Sequence, residues 1–334
     1  MIMTLATRFT ELAGCAVPIQ QAPMGSVSTP ALAVAVANAG GVGSITAQWL
    51  AAAEVDATLA GMAAQTAGVL AANFLTGDID PEAVAAAAAR VRIVDFFWAD
   101  PDPALVEMGH RGGALACWQV GSLDEARAAA DAGCDVIAVQ GIEAGGHIRG
   151  RSELLPLLES VLGHLDLPVL AAGGIGDGRA FAEVLAAGAA GARAGTRFVA
   201  TNESGAHPAY KQAVAGATAG PTEITGAFSV CPLCATEPRA RVLRSCIDAL
   251  GDLAGDTVGE ATVGGERISL PKAHGLPPWC DSHRPYQRHA HVLRRVRRGC
   301  PRRRTGGGGR QILVRHRRRA QLRTRAGPGS RQTG

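Results

Sequence analysis

The sequence predicts an α/β fold, a (β/α)8 TIM barrel, from two observations. Strand-like and helix-like patterns alternate through eight units of about 25 residues as far as residue 215. The strand-like runs are continuously apolar, as a sheet buried on both faces requires. A doubly wound open sheet would show the same alternation. The barrel is favoured by the count and by the glycines, polar residues and lone His that follow the strand-like runs, where a barrel carries its reactive loops.

The elements follow in order. Residues 18–24 read as a first strand, and 30–39 as a helix opened by Pro30 and closed by Gly40-Gly41. Residues 42–45 form a second strand, with a helix at 50–65. A third strand at 68–75 leads to an Ala-rich helix at 81–90 with Asp80 as N-cap. The fourth unit is a strand at 93–99 and a helix at 103–110. The fifth is a strand at 114–120 and a helix at 122–132, with Ser122 and Glu125 at capping-box spacing. The sixth pairs 136–140 with 153–162, the seventh 168–172 with 178–187, and the eighth 192–199 with 206–215. Beyond this the rhythm breaks: 222–230 looks extended, 238–250 helical, and 252–270 loop or short strands. The expected organisation is a barrel at 1–215, an appended substrate-side region at 216–278 and a disordered basic tail at 279–334.

Apolar content is 47%, enough for a large core, while aromatics are only 4%, which disfavours stacking on nucleic-acid bases. There is no apolar run of about 18 residues and no basic-then-apolar leader, so neither a membrane span nor a signal peptide is expected. Eight Cys without a disulfide-like pattern point to reduced thiols in a cytoplasmic protein. The net charge of +4 hides an asymmetry. From Asp281 onward there are 17 Arg, no Lys, one Asp and no Glu, so positions 1–280 hold 16 of the 33 basic and 28 of the 29 acidic residues. Body and tail are two different kinds of polypeptide.

The most informative stretch is Gln140-Gly141-Ile142-Glu143-Ala144-Gly145-Gly146-His147. It puts one imidazole behind a flexible glycine pair at a strand end. Glycine lets a backbone approach a flat ligand, and His is the side chain whose charge changes most easily near neutral pH. Ala171 to Gly178 follows the seventh strand and opens a helix whose N-terminal N–H groups suit an anion, and Gly191 to Phe198 follows one unit later. Loops after strands seven and eight are where barrels hold phosphate. The late position of these glycines and the lack of an acidic ribose partner exclude a dinucleotide fingerprint. Gln20 to Gly25 ends strand one in Pro-Met-Gly, a backbone able to lie along a planar ring. Asn73, at the end of strand three, reads as a cofactor contact or a turn cap. Cys231 and Cys234 form a lone CxxC, read as ordinary thiols with zinc or redox use as the alternative. No partner is evident for His110, His164, His207 or His274.

With these residues, the chain resembles the nitronate monooxygenases, the family once called 2-nitropropane dioxygenases. The resemblance is carried by 18–25, 40–44, 71–74, 119–122, 140–150, 171–177 and 191–198 in the family's order. It implies a barrel that binds FMN non-covalently and no metal. His147 corresponds to the family's catalytic histidine, and Gln140, Gly145 and Gly146 of its loop count as cofactor contacts. Gly173, Gly174, Gly195 and Thr196 match the FMN phosphate loops. Ala22, Pro23, Met24 and Asn73 match strand-end contacts to the flavin, and Gln119 lies on the segment that lines it, near where relatives sometimes carry Lys. The implied activity is oxidation of alkyl nitronates by molecular oxygen, in a monomer or homodimer whose partners are a nitronate or nitroalkane and O2. The alternatives are a flavin-dependent enoyl-ACP reductase-like enzyme using NAD(P)H, and a flavin-binding protein impaired by an aberrant C-terminus.

Nothing after about Trp279 resembles the family. Arg without Lys, with Gly and Pro, is what GC-rich DNA encodes out of frame, so a shifted reading frame between about Lys272 and Asp281 is expected. The competing reading is a basic arm that binds nucleic acid non-specifically.

Overall fold

Eight parallel strands close into a barrel in the computed structural model, which describes residues 5–75, 79–216, 222–228, 239–252, 255–263, 266–273 and 282–283. The strands are β1 (Ile19–Gln21), β2 (Val42–Thr46), β3 (Val69–Leu75), β4 (Ile93–Phe97), β5 (Leu115–Val120), β6 (Val136–Gln140), β7 (Val169–Ala172) and β8 (Gly191–Ala194). Neighbours follow chain order, and β8 closes on β1 with Gln20 opposite Arg193. All described residues belong to the unit Met1–Cys300.

Local chemistry sets the helices that surround the barrel. Thr29, Asp80 and Asp102 each stand one residue before a proline, and each side chain accepts from a first-turn N–H of Leu32, Glu82 or Ala104. The cap satisfies a donor that the helix itself cannot, and proline tolerates the first helical position because its missing N–H is not needed there. Ser122 caps Leu123–Asp131 in the same way, through Glu125 N at 3.2 Å. Helix Pro30–Asn38 lies against β2 at backbone contact: a Cβ on Gly43 would stand 1.9 Å from Ala33 O. Only glycine permits that approach.

The strand side chains divide into two cores. Outward-facing Val94, Phe96, Trp118, Ile137 and Val139 pack under the helices, with the Phe96 and Trp118 rings stacked at 4.9 Å. Inside the barrel, Val42, Ala71, Ile93, Leu115, Val136 and Leu170 form an apolar layer. Phe9 and Ala13 of a helix at Arg8–Ala13 pack into that layer and plug the N-terminal end. Full burial of Phe9 contributes about 1.5–3 kcal/mol. Above the apolar layer the interior turns polar, with Gln20, Ser44, Asn73, Asp95, Gln119, Gln140 and Arg193 all buried. Polarity inside a closed barrel needs partners or a ligand, so this end, the C-terminal one, is where the site lies.

Three local expectations are corrected. The first strand ends at Gln21 rather than Met24, and Gly25–Val27 turns into a 3-10 helix. The eighth strand stops at Ala194, and Thr196–Val199 is one helical turn rather than strand, because Gly195 breaks the extended run. Residues 240–243, read as helical, form a strand (Ala240–Leu243), with helix Arg244–Gly251 following. The β-branched Val242 and its pairing partners outweigh local helix propensity there. The plug helix Arg8–Ala13 was not anticipated. Beyond the barrel, Thr257–Val263 and Glu266–Pro271 form an antiparallel hairpin. Among the described residues no helix is long and apolar enough to cross a membrane. Cys15, Cys117, Cys134 and Cys246 are free. Cys231, Cys234, His274 and all but two residues of the basic tail lie outside the described residues.

Candidate active site

The loop after β6 is built around Gln140. Its Nε2 donates to the His147 backbone carbonyl at 3.0 Å, and its Oε1 accepts from Arg149 N at 3.1 Å, so one buried amide pins both ends of the turn. Glu143 accepts from Leu154 N through both carboxylate oxygens, tying the loop to the next helix, where Glu153 supplies no side-chain cap. Gly146–His147 is itself a short strand. It pairs antiparallel with Ala240–Leu243, which in turn pairs with Thr222–Thr225. Arg241 reinforces the join by donating to Ile142 O at 2.8 and 3.2 Å. Thus the appended region reaches back and fixes the backbone of the one His in the loop.

The His147 ring is half-buried, and its Nε2 is sealed from solvent with no hydrogen-bond partner among the described residues. Such an atom in a native site awaits a partner. The ring stands edge-on to Trp98, at the end of β4.

The glycine loops converge on the same mouth. A Cβ on Gly145 would lie 2.5 Å from Thr196 Oγ1, one on Gly174 3.1 Å from Glu143 Cβ, and one on Gly195 3.3 Å from Ala22 Cβ and 3.5 Å from Met24 Sδ. Gly173 packs on Gly141 and Ala144 in the same way. Gly173 and Gly174 both hold positive φ, at +117° and +69°. The structure therefore brings Ala22, Met24, Gly145, Gly146, His147, Gly173, Gly174, Gly195 and Thr196 to one rim, with Pro23 between two of them. The backbone N–H groups of Gly174 and Thr196 meet no acceptor among the described residues, which suits an anion. The helix at Gly178–Ala186 does not offer its N-terminus as expected. Asp177 Oδ1 accepts from Arg179 N and Ala180 N, and these bonds hold the carboxyl below its usual pKa. An anion is already in place there.

Beneath the rim lies a charge pair that the motifs did not reveal. Arg193 Nη2 is 2.8 Å from Asp95 Oδ2, both essentially unexposed. The same nitrogen reaches Gln20 Oε1 at 3.0 Å and Cys117 Sγ at 3.2 Å, while Nη1 donates to Gln119 Oε1 at 2.8 Å. Asp95 Oδ1 and Arg193 Nε are left without partners. Burial raises the Asp95 carboxyl, and the guanidinium opposes this without cancelling it. For Arg193, burial disfavours the cation, but Asp95 and Cys117 together outweigh it and hold the guanidinium above its ordinary pKa. The one sequence signal was an Arg and an Asp at inward positions of predicted barrel strands. Asn73 donates to Asp95 O at 3.1 Å across the barrel wall, so it caps no turn. It and Gln119 lie inside the barrel below the rim loops.

Three further histidines have ordinary partners. His110 Nε2 lies 2.8 Å from Asp135, His164 Nδ1 lies 2.7 Å from Ser160 O, and His207 Nδ1 accepts from Ala209 N. Among the described residues no group of His, Cys, Asp and Glu could hold a metal ion.

A family model described as nitronate monooxygenase matches residues 6–82 and 69–237. A 5-hydroxy-7a-methyl-1-oxo-octahydro-indene-4-carboxyl-CoA dehydrogenase of Rhodococcus jostii is 36% identical over 203 residues, 60% of this chain and 57% of that protein. The chain thus spans little more than half the length of that relative. A nitronate monooxygenase of Pseudomonas aeruginosa is 35% identical over 273 residues, 67% of this chain and 78% of that one. Two solved structures superpose on the barrel. FabK from Thermotoga maritima has a TM-score of 0.66 at 28% identity, covering 82% of this chain and 93% of its own. A nitroalkane oxidase from Streptomyces ansochromogenes has 0.61 at 33% identity, covering 70% and 78%.

Proposed function

Because the chain belongs to the nitronate monooxygenase family, we propose that it oxidises alkyl nitronates with molecular oxygen at a non-covalently held FMN. The observation that carries this reading is the buried, unpartnered His147 Nε2 at a rim of close-packed glycines. The free N–H groups of Gly174 and Thr196 fit a phosphate, and the apolar Ala22-Pro23-Met24 turn against Gly195 fits the face of a flat ring. Bound flavin supplies the redox chemistry, taking electrons from the substrate and passing them to oxygen.

The protein's own part is position and charge. A nitronate is already a carbanion equivalent, so no strong base is needed. His147 Nε2, held by the Gln140 clamp and the Ala240–Leu243 strand, is the group that meets a nitronate oxygen or takes a proton from a neutral nitroalkane. Trp98 and Phe97, stacked at 4.8 Å, form an apolar wall beside it. We also propose that the chain divides into a barrel at 1–215, an appended region at 216–278 and a tail at 279–334.

The test is an absorption spectrum of the purified chain, then oxygen uptake with propyl nitronate. A protein that stays colourless and takes up no added FMN refutes the reading. Anaerobic bleaching of the flavin by NAD(P)H alone, without nitronate turnover, would support the reductase alternative.

A further inference from the structure

Arg193 is a full charge in a barrel interior that apolar side chains could fill. Replacing a buried ion pair by packed apolar residues is often neutral or stabilising, so stability alone does not account for keeping Arg193 against Asp95. The geometry around the pair has a direction. Asp95, Gln20 and Cys117 occupy Nη2, which leaves Nη1 for Gln119 Oε1 at 2.8 Å. A guanidinium can only donate, so the Gln119 amide must turn its oxygen toward it. Its NH2 group then faces the other way. That nitrogen makes no hydrogen bond among the described residues, and it is not one of the sealed orphan atoms, so solvent reaches it. Phe9 and Ala13 plug the far end of the barrel, hence the opening above Gln119 is the mouth. Gln119 sits on β5, the strand beside β6, whose loop carries His147.

We propose that Arg193 is a positioning residue, whose guanidinium holds the Gln119 amide with its NH2 turned to the barrel mouth, where it donates to an acceptor edge of the bound flavin. This rests on the flavin reading above. N1 and the carbonyl oxygens of the ring gain negative charge on reduction, whereas N5 takes up a proton and becomes a donor. A fixed donor beside N1 or a carbonyl oxygen therefore favours the reduced form, the more so in a water-poor interior. An unanchored amide could flip and present its oxygen instead, favouring the oxidised form.

The experiment measures the midpoint potential of FMN on the full-length chain by equilibration with a redox dye, alongside FMN affinity by fluorescence titration. Gln119→Leu removes the donor. The pair Asp95→Asn with Arg193→Met removes the anchor and leaves no buried lone charge; Arg193→Met alone, in which Asp95 can take up a proton, gives a second route if the pair does not fold. Each is expected to weaken binding of reduced relative to oxidised FMN about tenfold, a fall of about 30 mV for a two-electron couple. Combining Gln119→Leu with loss of Arg193 should lower the potential no further, because both remove one contact. Additive falls overturn the positioning role, as does a potential unmoved by loss of Arg193 or by Gln119→Leu. If the unmodified chain takes up no FMN, the flavin reading fails and the proposal with it. If FMN binds but the couplings are absent, only the proposal fails.

Discussion

The His147 ring meets Trp98 edge-on, with centroids 6.0 Å apart and planes at 87°. Trp98 holds φ at +84°, the one positive φ of a non-glycine among the described residues. A left-handed backbone costs an ordinary residue about 1–2 kcal/mol. Such strain persists where the surroundings over-determine it, and that is commonest beside reacting groups. Here Phe97 stacks on one side of the indole and His147 abuts it. Trp98→Ala should therefore lower turnover about tenfold with the barrel intact, an edge contact of about 0.5–1.5 kcal/mol being lost. Trp98→Phe should stay close to the parent. Turnover and thermal melts of the two variants check this; equal turnover in Trp98→Ala would remove Trp98 from the site.

His147→Asn should keep FMN and lose about a hundredfold or more of turnover with propyl nitronate. Oxygen-uptake rates on flavin-loaded protein decide the matter, and unchanged turnover would end the assignment of His147.

Gly145→Ala puts a Cβ 2.5 Å from Thr196 Oγ1, close enough that the Thr196 side chain must shift. Its backbone does not need a left-handed conformation, so the effect should fall on the Thr196 side of the rim and not on folding. FMN affinity is expected to drop about tenfold, 1.4 kcal/mol, with Tm changed by no more than about 3 °C. A tight-binding variant would mean that Thr196 does not touch the cofactor.

Arg241→Ala strips two donors from Ile142 O and loosens the strand that holds His147. A cost of about 1–2 kcal/mol in stability is expected, with a larger fractional loss in turnover than in FMN affinity. Parallel losses in both would show that the contact serves the whole rim.

His207 has its pKa lowered by burial, and its Nδ1 accepts from Ala209 N. The unfolded chain thus binds a proton more readily than the folded one. Stability from this residue is present above the unfolded value near 6.5 and is lost as pH falls below it toward the folded value. The Tm of the parent should fall between pH 7 and pH 5.5 by slightly more than that of His207→Gln, a difference of about 1–2 °C. Identical pH profiles would contradict this.

The barrel was legible because its strands are unbroken apolar runs and its helices begin at capped prolines, both local signals. The rim was legible for a similar reason: glycines and a His at strand ends mark places where a backbone must bend or approach. What escaped was set by distance. Arg193 and Asp95 lie 98 positions apart, and each alone reads as one polar residue in a strand. Trp98 looked like the end of an apolar run, since nothing in the sequence declares a backbone angle. Ala240–Leu243 looked helical because its β partners are remote in the chain. Asp177 was counted with an anion-binding turn, yet a carboxylate at that position neutralises the turn itself.

The pairing of His147 with Ala240 also sets an order of events during synthesis. Every barrel strand has been made once Ala194 is added, and the barrel can close when that residue emerges from the ribosome. The strand that clamps the His147 loop is still to come, so a nascent chain released early would hold a closed barrel and an unfinished reaction centre. Competence for chemistry should therefore trail closure of the barrel. A set of chains truncated on either side of 240–243 would separate the two moments.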